Sequence, residues 1–252
     1  PLFTAVILGW LLVQVVLLML VALIHEKGGA VGDVLLGAHM FIGTFAYFGI
    51  HIVDLTRRFL KSGQSLYQYF LGPNTMIPTW RDVTDFAATM RWFLGLGPRP
   101  RYGKWTYWEK FDYFAVFWGI FVIGSTGLVL WFPETFTWLV PGWFVNVATI
   151  IHSDEALLEV GFIFTIHFFN THFRPDKFPQ DTTMFTGRVP LALYKHEHRR
   201  EYERLLASGE LEKYLVNAPT EPRAKSASLL GATLITFGLF LLALVITGFL
   251  GL

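Results

Sequence analysis

Five apolar stretches, at about 2–24, 34–53, 112–132, 146–169 and 229–252, constrain this chain more than any other feature. Each is long enough to cross a hydrocarbon core of about 30 Å, which takes roughly 20 helical residues at about 1.5 Å of rise each. A chain with 53% hydrophobic and 15% charged residues belongs with integral membrane proteins rather than water-soluble domains. The predicted fold is therefore all-α, an integral membrane helical bundle with five transmembrane helices. The first stretch is too long for a signal-peptide h-region, and HEKGG follows it in place of a small-residue cleavage site, so it reads as a retained span. Its strongly polar interior residue, Gln14, suits a hydrogen bond to a neighbouring helix.

Lysine and arginine fall unevenly between the stretches. Nine lie in 54–110 and ten in 173–225, whereas the short connections 25–33 and 133–145 hold Lys27 alone. The positive-inside rule makes the two long basic segments cytoplasmic, so spans 1, 3 and 5 run outward and spans 2 and 4 inward. Within the first basic segment, TWRDVTDFAATMRWFLGLGP predicts a helix lying in the membrane interface. Thr79 and Asp82 form a loose capping box, and Val83, Phe86, Ala87, Met90, Phe93 and Leu94 recur at helical spacing against Arg81, Asp85 and Arg91. Gly95, Gly97 and Pro98 stop it. Residues 194–215, YKHEHRREYERLLASGELEKYL, predict a solvated cytoplasmic helix whose His196 and His198 belong to its charge run.

The absence of cysteine excludes disulfides, thiolate-held iron–sulfur clusters and covalently attached c-type haem from the chain itself. No repeat, flavin or nucleotide motif, or set of molybdenum ligands is evident, and nucleic acid is not an expected partner. Histidine is the residue type left to carry chemistry. Ionisable groups inside a span cost on the order of several kcal/mol, so each needs a partner. Haem b takes one neutral imidazole from each of two helices on opposite faces of its iron. A membrane di-iron oxidase instead needs tight histidine boxes near one face, and a proton-coupled transporter needs carboxylates and histidines near a broken helix.

Span 4 carries His152 and His167, fifteen residues apart, which is about 22 Å of rise and about 60° of azimuth on an ideal helix. Span 2 carries His39 and His51, twelve residues apart, about 18 Å and about 120°, so it must bend or twist for both to face one neighbour. Both spans run inward, which matches His39 with His152 near the outer side and His51 with His167 near the inner side. Two helices with two matched levels suit two stacked haems. His25, at the outer end of span 1, and His172, five residues past His167, are the alternative ligands.

Small residues accompany the histidines. Gly37, Gly43 and Gly49 on span 2, and Gly119, Gly124 and Gly127 on span 3, admit either a flat macrocycle or a close helix neighbour. Glu159 follows His152 by seven residues, within about 20° on the wheel. It is a candidate for a protonated carboxyl within the bundle or for a proton path. Asp154 and Glu155 can hold the second N–H of a ligand imidazole or face a partner at the outer surface.

The run RYGKWTYWEKFDYFAVFWGIFVIGSTGLVLWFPE, followed by IIHSDEALLEVGFIFTIHFFNTHF and MFTGRVPLALYKHEHRREYERL, resembles the second half of a known family. That family is the di-haem cytochrome b (gamma) subunits of respiratory formate dehydrogenases, relatives of those in membrane-bound nickel–iron hydrogenases. The likeness rests on the TG-x-x-x-W-x-P end of span 3, the paired histidines of span 4 and the M-x-x-G-[KR]-V segment before a basic helix. VLLGAHMFIG with the following RRF is similar to the family's second span, and the resemblance covers roughly residues 31 to 206. It implies His39 with His152 at an outer haem and His167 at an inner one. The formate dehydrogenase branch takes the inner haem's other ligand from the start of span 1, where PLFTAVILGW has no histidine. His51 is assigned that place, much as the related cytochrome of nitrate reductase takes two ligands from each of two helices. Span 5 is a further departure, because the formate dehydrogenase subunit ends after four.

The family also implies electron passage between an extracytoplasmic iron–sulfur or multihaem cytochrome subunit, two haem b groups and a quinone, menaquinone or ubiquinone, near the cytoplasmic face of a bacterial inner membrane. The corresponding pocket would gather Trp108, Glu109, Lys110 and Asp112 with Asn170 and His172, and the rival role of these residues is that of ordinary interfacial aromatics and charges. Arg57, Arg58 and Arg174 are candidates for haem propionates, with lipid headgroups as the competing partner. The expected organisation is a di-haem membrane domain over 1–225, with cytoplasmic segments 54–110 and 173–225, and an additional C-terminal helix over 226–252. The expected role is an electron-transfer subunit of a respiratory oxidoreductase complex, with a site for quinone reduction or quinol oxidation. The rival expectation is a haem-free transporter or assembly factor using the same groups for protons or metal ions.

Overall fold

The computed structural model describes residues 48–251. Their regular elements are all helical. The chain divides into two compact units, residues 1–72 and 73–252. The first span with Gln14 and His25, and most of the second with Gly37, His39 and Gly43, lie outside the described residues.

In the first unit, helix α1 (48–62) carries His51 and an Asp54–Arg58 ion pair at 2.6 Å one turn apart. A turn at Gly63, with φ of 64°, reverses the chain into α2 (Leu66–Leu71). Ser65 caps α2, accepting from the Gln68 N–H at 3.2 Å while its own N–H donates to Gln68 Oε1 at 3.1 Å. Tyr69 donates to Leu55 O at 3.4 Å and its ring meets Phe59, which folds α2 back on α1.

The second unit holds α3 (Trp80–Phe93), α4 (Tyr107–Trp131) and α5 (Trp143–Phe162), which runs on through two π-helical turns at Ile163–His167 and Phe169–Phe173. Then come α6 (Leu191–Glu197), α7 (Arg199–Ala207) and α8 (Glu221–Leu250). The apolar window at 112–132 underestimates the start of α4. Thr106 accepts from the Glu109 N–H, and its own N–H donates back to Glu109 Oε2 at 2.8 Å, so this reciprocal cap begins the helix among charged residues. In the same way α8 begins at Glu221, ahead of the apolar run, with Pro222 in its first turn.

Two of the described helices, α4 and α8, are long and apolar enough to cross a membrane. A core helix of a water-soluble protein would be mostly buried, whereas 17% of the apolar stretch of α4 and 6% of that of α8 is buried within the protein. Helix α5 carries Asp154, Glu155 and Glu159 and falls outside that class. It packs antiparallel against α4. Helix α8 docks near the other end of α5: Gln180 donates to Ser228 O at 2.6 Å, and Gly238 gives room to the Phe164 and Phe168 rings.

Residues 194–215 do not form one solvated helix. The chain breaks at His198, whose Nδ1 meets Gly103 O at 2.8 Å, and again at Gly209, with φ of 69°. Glu197, Glu201 and Leu205 are buried. Arg204 holds Glu201 through Nε at 2.8 Å and a terminal nitrogen at 2.7 Å, and Arg200 reaches Asp85 at 2.7 Å. Ion pairs thus draw part of the charge run into the protein, while Lys195, Arg199, Glu203 and Lys213 keep the wet surface that sequence assigns to them. Beside them, burial and the nearby Glu201 push the Tyr194 phenol up to about 12.

Candidate functional site

The α4–α5 interface carries polar or small residues at three successive levels. Asp112 faces His167, Gly119 faces Glu159, and Thr126 faces His152. On α4 these positions are seven apart, so each falls nearly above the last, with about 20° of drift per heptad. On α5 the series 152, 159 would continue at 166, yet it is His167 that meets Asp112. The π turn at Ile163–His167 supplies the extra residue. It replaces the roughly 60° offset of fifteen α-helical steps with the roughly 40° drift of two heptads, the same drift that separates Asp112 from Thr126 on α4, so His167 and His152 both meet that face.

Both imidazoles are held through Nδ1. Thr126 Oγ1 donates to Val122 O at 2.6 Å, which leaves its oxygen to accept from His152 Nδ1–H at 3.0 Å. Asp112 Oδ2 is an acceptor when ionised and lies 3.0 Å from His167 Nδ1. For a neutral ring, either contact favours the proton on Nδ1 and leaves Nε2 free, the tautomer a ligand histidine adopts when a neighbouring group orients it. Gly127 makes space for this arrangement: a Cβ there would stand 3.2 Å from His152 Cε1. Asp112 Oδ1 is buried without a hydrogen-bond partner among the described residues, and the His167 side chain is 38% exposed, leaving its outer edge accessible.

This donor chemistry fits a porphyrin iron, which needs one neutral imidazole per helix. No cluster of three or more His, Cys, Asp or Glu suited to holding a metal ion occurs among the described residues. His39 lies outside those residues, and His51 belongs to the first unit. Gly119 receives the Glu159 carboxyl of the facing helix, whereas a Cβ at Gly124 or Gly49 would meet open space.

The six residues expected around a quinone do not all turn to one place. Glu109 caps its own helix. Lys110 is buried and pairs with Asp82 at 2.9 Å, and Trp108 packs edge-on to Tyr102. Asp112 holds His167. His172 is 7% exposed, packs edge-on to Phe168, and has no partner for Nδ1 among the described residues, while Asn170 is half-buried. Of the arginines, Arg174 pairs with Asp176 at 2.7 Å and contacts Glu197; Arg58 pairs with Asp54, and Arg57 is exposed. Sequence reasoning missed Thr126 and Asp112 as imidazole partners. The signal was present as the seven-residue spacing 112, 119, 126 set against 152 and 159. No family model matches the chain, and no curated protein or solved structure matches it either.

Proposed function

We propose that this chain is a di-haem cytochrome b, the membrane-anchoring subunit of a respiratory oxidoreductase complex. It passes electrons between an extracytoplasmic redox partner, an iron–sulfur or multihaem cytochrome subunit, and a membrane quinone in a bacterial inner membrane. The ligand sets are His39 with His152 and His51 with His167, in a bundle of five spans. The observation that carries the reading is the pair of oriented imidazoles on α5, each with Nδ1–H held by α4 and Nε2 left to coordinate. Bound haem would supply a reversible one-electron centre at each level. The chain's own residues orient the imidazoles through Nδ1 and separate the two levels by about 21 Å of helix.

The test is an absorption spectrum of the purified protein with a haem count per chain. A reduced α band of b type at two haems per chain is expected. His39→Ala should lose the haem at the His152 level and spare the other, and His167→Ala should do the reverse. Absence of haem from the wild-type protein would overturn the reading. It would favour the second one, a proton-coupled carrier, for which the Glu159 carboxyl between the two histidine levels is the supporting observation.

A further inference from the structure

Helix α3 is amphipathic, but its polar side is turned into the protein. Asp82 accepts from Lys110 Nζ at 2.9 Å, Asp85 from Arg200 at 2.7 Å, and the Thr89 hydroxyl lies 2.7 Å from the buried Tyr102 hydroxyl. These three residues fall within about 60° on the helix wheel. The apolar stripe of Val83, Phe86, Met90, Phe93 and Leu94 is centred about 100° away from them. Most of it is bare: Val83 is 51% exposed, Phe93 67% and Leu94 72%. The remaining side carries the exposed Arg81 and Thr84 and the half-buried Ala88, opposite the stripe, with Arg91 at the stripe's edge. Water would penalise this arrangement, because the charged groups that should be solvated are inside and the rings that should be covered are outside.

We infer that this stripe docks into the cytoplasmic lipid interface, so that α3 lies on the membrane with its polar face locked to the protein. The level follows from its contacts with α4. The Asp82–Lys110 pair and the edge-on packing of Phe86 on Tyr107, centroids 5.5 Å apart, both fall in α4's first turn, where the apolar length of that helix begins. A helix held at that depth, with its apolar side free and arginines at and above the edge, meets acyl chains below and phosphates beside it. The inference rests on α4 crossing a membrane and is independent of haem.

The chain has no cysteine, so single thiols can be placed cleanly. Bimane would be attached at Val83→Cys, Ala88→Cys and Phe121→Cys in the full chain, reconstituted in phosphatidylcholine–phosphatidylglycerol vesicles. Phe121 is 71% exposed midway along α4 and reports the membrane itself. Lipid brominated high on the acyl chain should quench the label at 83 more than that at 88, aqueous iodide should reverse that order, and deeply brominated lipid should quench the label at 121. Quenching at 121 with none at 83 would overturn the inference while leaving the membrane reading intact, whether iodide reaches position 83 or a protein shields it. Absence of lipid quenching at both 83 and 121 would remove the membrane reading and this inference with it.

Discussion

Asp112 and Thr126 hold equivalent imidazoles with unlike groups. A carboxylate makes its imidazole a stronger electron donor than a hydroxyl does, so if the proposed haems are bound, the iron at the His167 level would favour the oxidised state more than that at the His152 level. Asp112→Ala should therefore weaken haem retention at the His167 level by about 10–100-fold and spare the other level. A haem count and a reduced spectrum of the purified variant would show it, and equal loss from both levels would contradict the assignment. The glycines make a finer test. At Gly119 a new Cβ meets the far end of the flexible Glu159 side chain, which can swing aside, so Gly119→Ala should leave the haem count unchanged. At Gly127 the neighbour is an imidazole already hydrogen-bonded to Thr126, so Gly127→Val should displace it and cost haem at the His152 level. Gly119→Ala losing more haem than Gly127→Val would reverse this account.

At the scale of elements, the Asp82–Lys110 pair decides whether α3 stays on α4. Its side chains are 12% and 9% exposed, so removing one partner strands a buried charge at a cost of roughly 3–5 kcal/mol. Lys110→Met alone should detach α3, and adding Asp82→Leu should recover most of the loss; resistance to detergent-induced unfolding measures both. Burial opposes the charge on Asp82, but the Lys110 and Thr79 hydrogen bonds outweigh it and hold the carboxyl below its ordinary range. The stabilisation is thus complete above the unfolded value of about 4 and is lost as pH falls through the lower folded value. A label at position 83 should report α3 as docked from pH 7 to 5, with release only in stronger acid and no such step in Asp82→Asn. The apolar period of α3 and the Thr79–Asp82 cap that begins it were legible in the sequence, whereas the Thr106–Glu109 cap of α4 was passed over because the apolar run opens only at 112. Which polar residues face inward was not, because Lys110 and Arg200 lie 28 and 115 residues from the carboxylates they meet. The π turn was equally hidden, since no residue type in IFTIH marks an inserted position.

For the whole molecule the open variable is whether α5 crosses the membrane beside α4. Composition argues against it, as three carboxylates sit in its α-helical length. Packing argues for it, because α5 tracks α4 from Thr126 to Asp112, about 21 Å of rise. An antiparallel partner over that distance must share the medium of the helix it lies against. Glu159 is tolerable there because Gly119 leaves a notch for its carboxyl inside the helix pair. A crossing puts the α4–α5 connection and the segment after α5 on opposite faces, which agrees with the connection holding no lysine or arginine and 173–225 holding ten. Thr135→Cys and Lys213→Cys, both exposed, report the two sides. An impermeant maleimide added to intact spheroplasts should modify position 135 alone, and position 213 only after lysis. Modification of both from outside would mean that α5 turns back without crossing, and modification of 213 alone would invert the bundle.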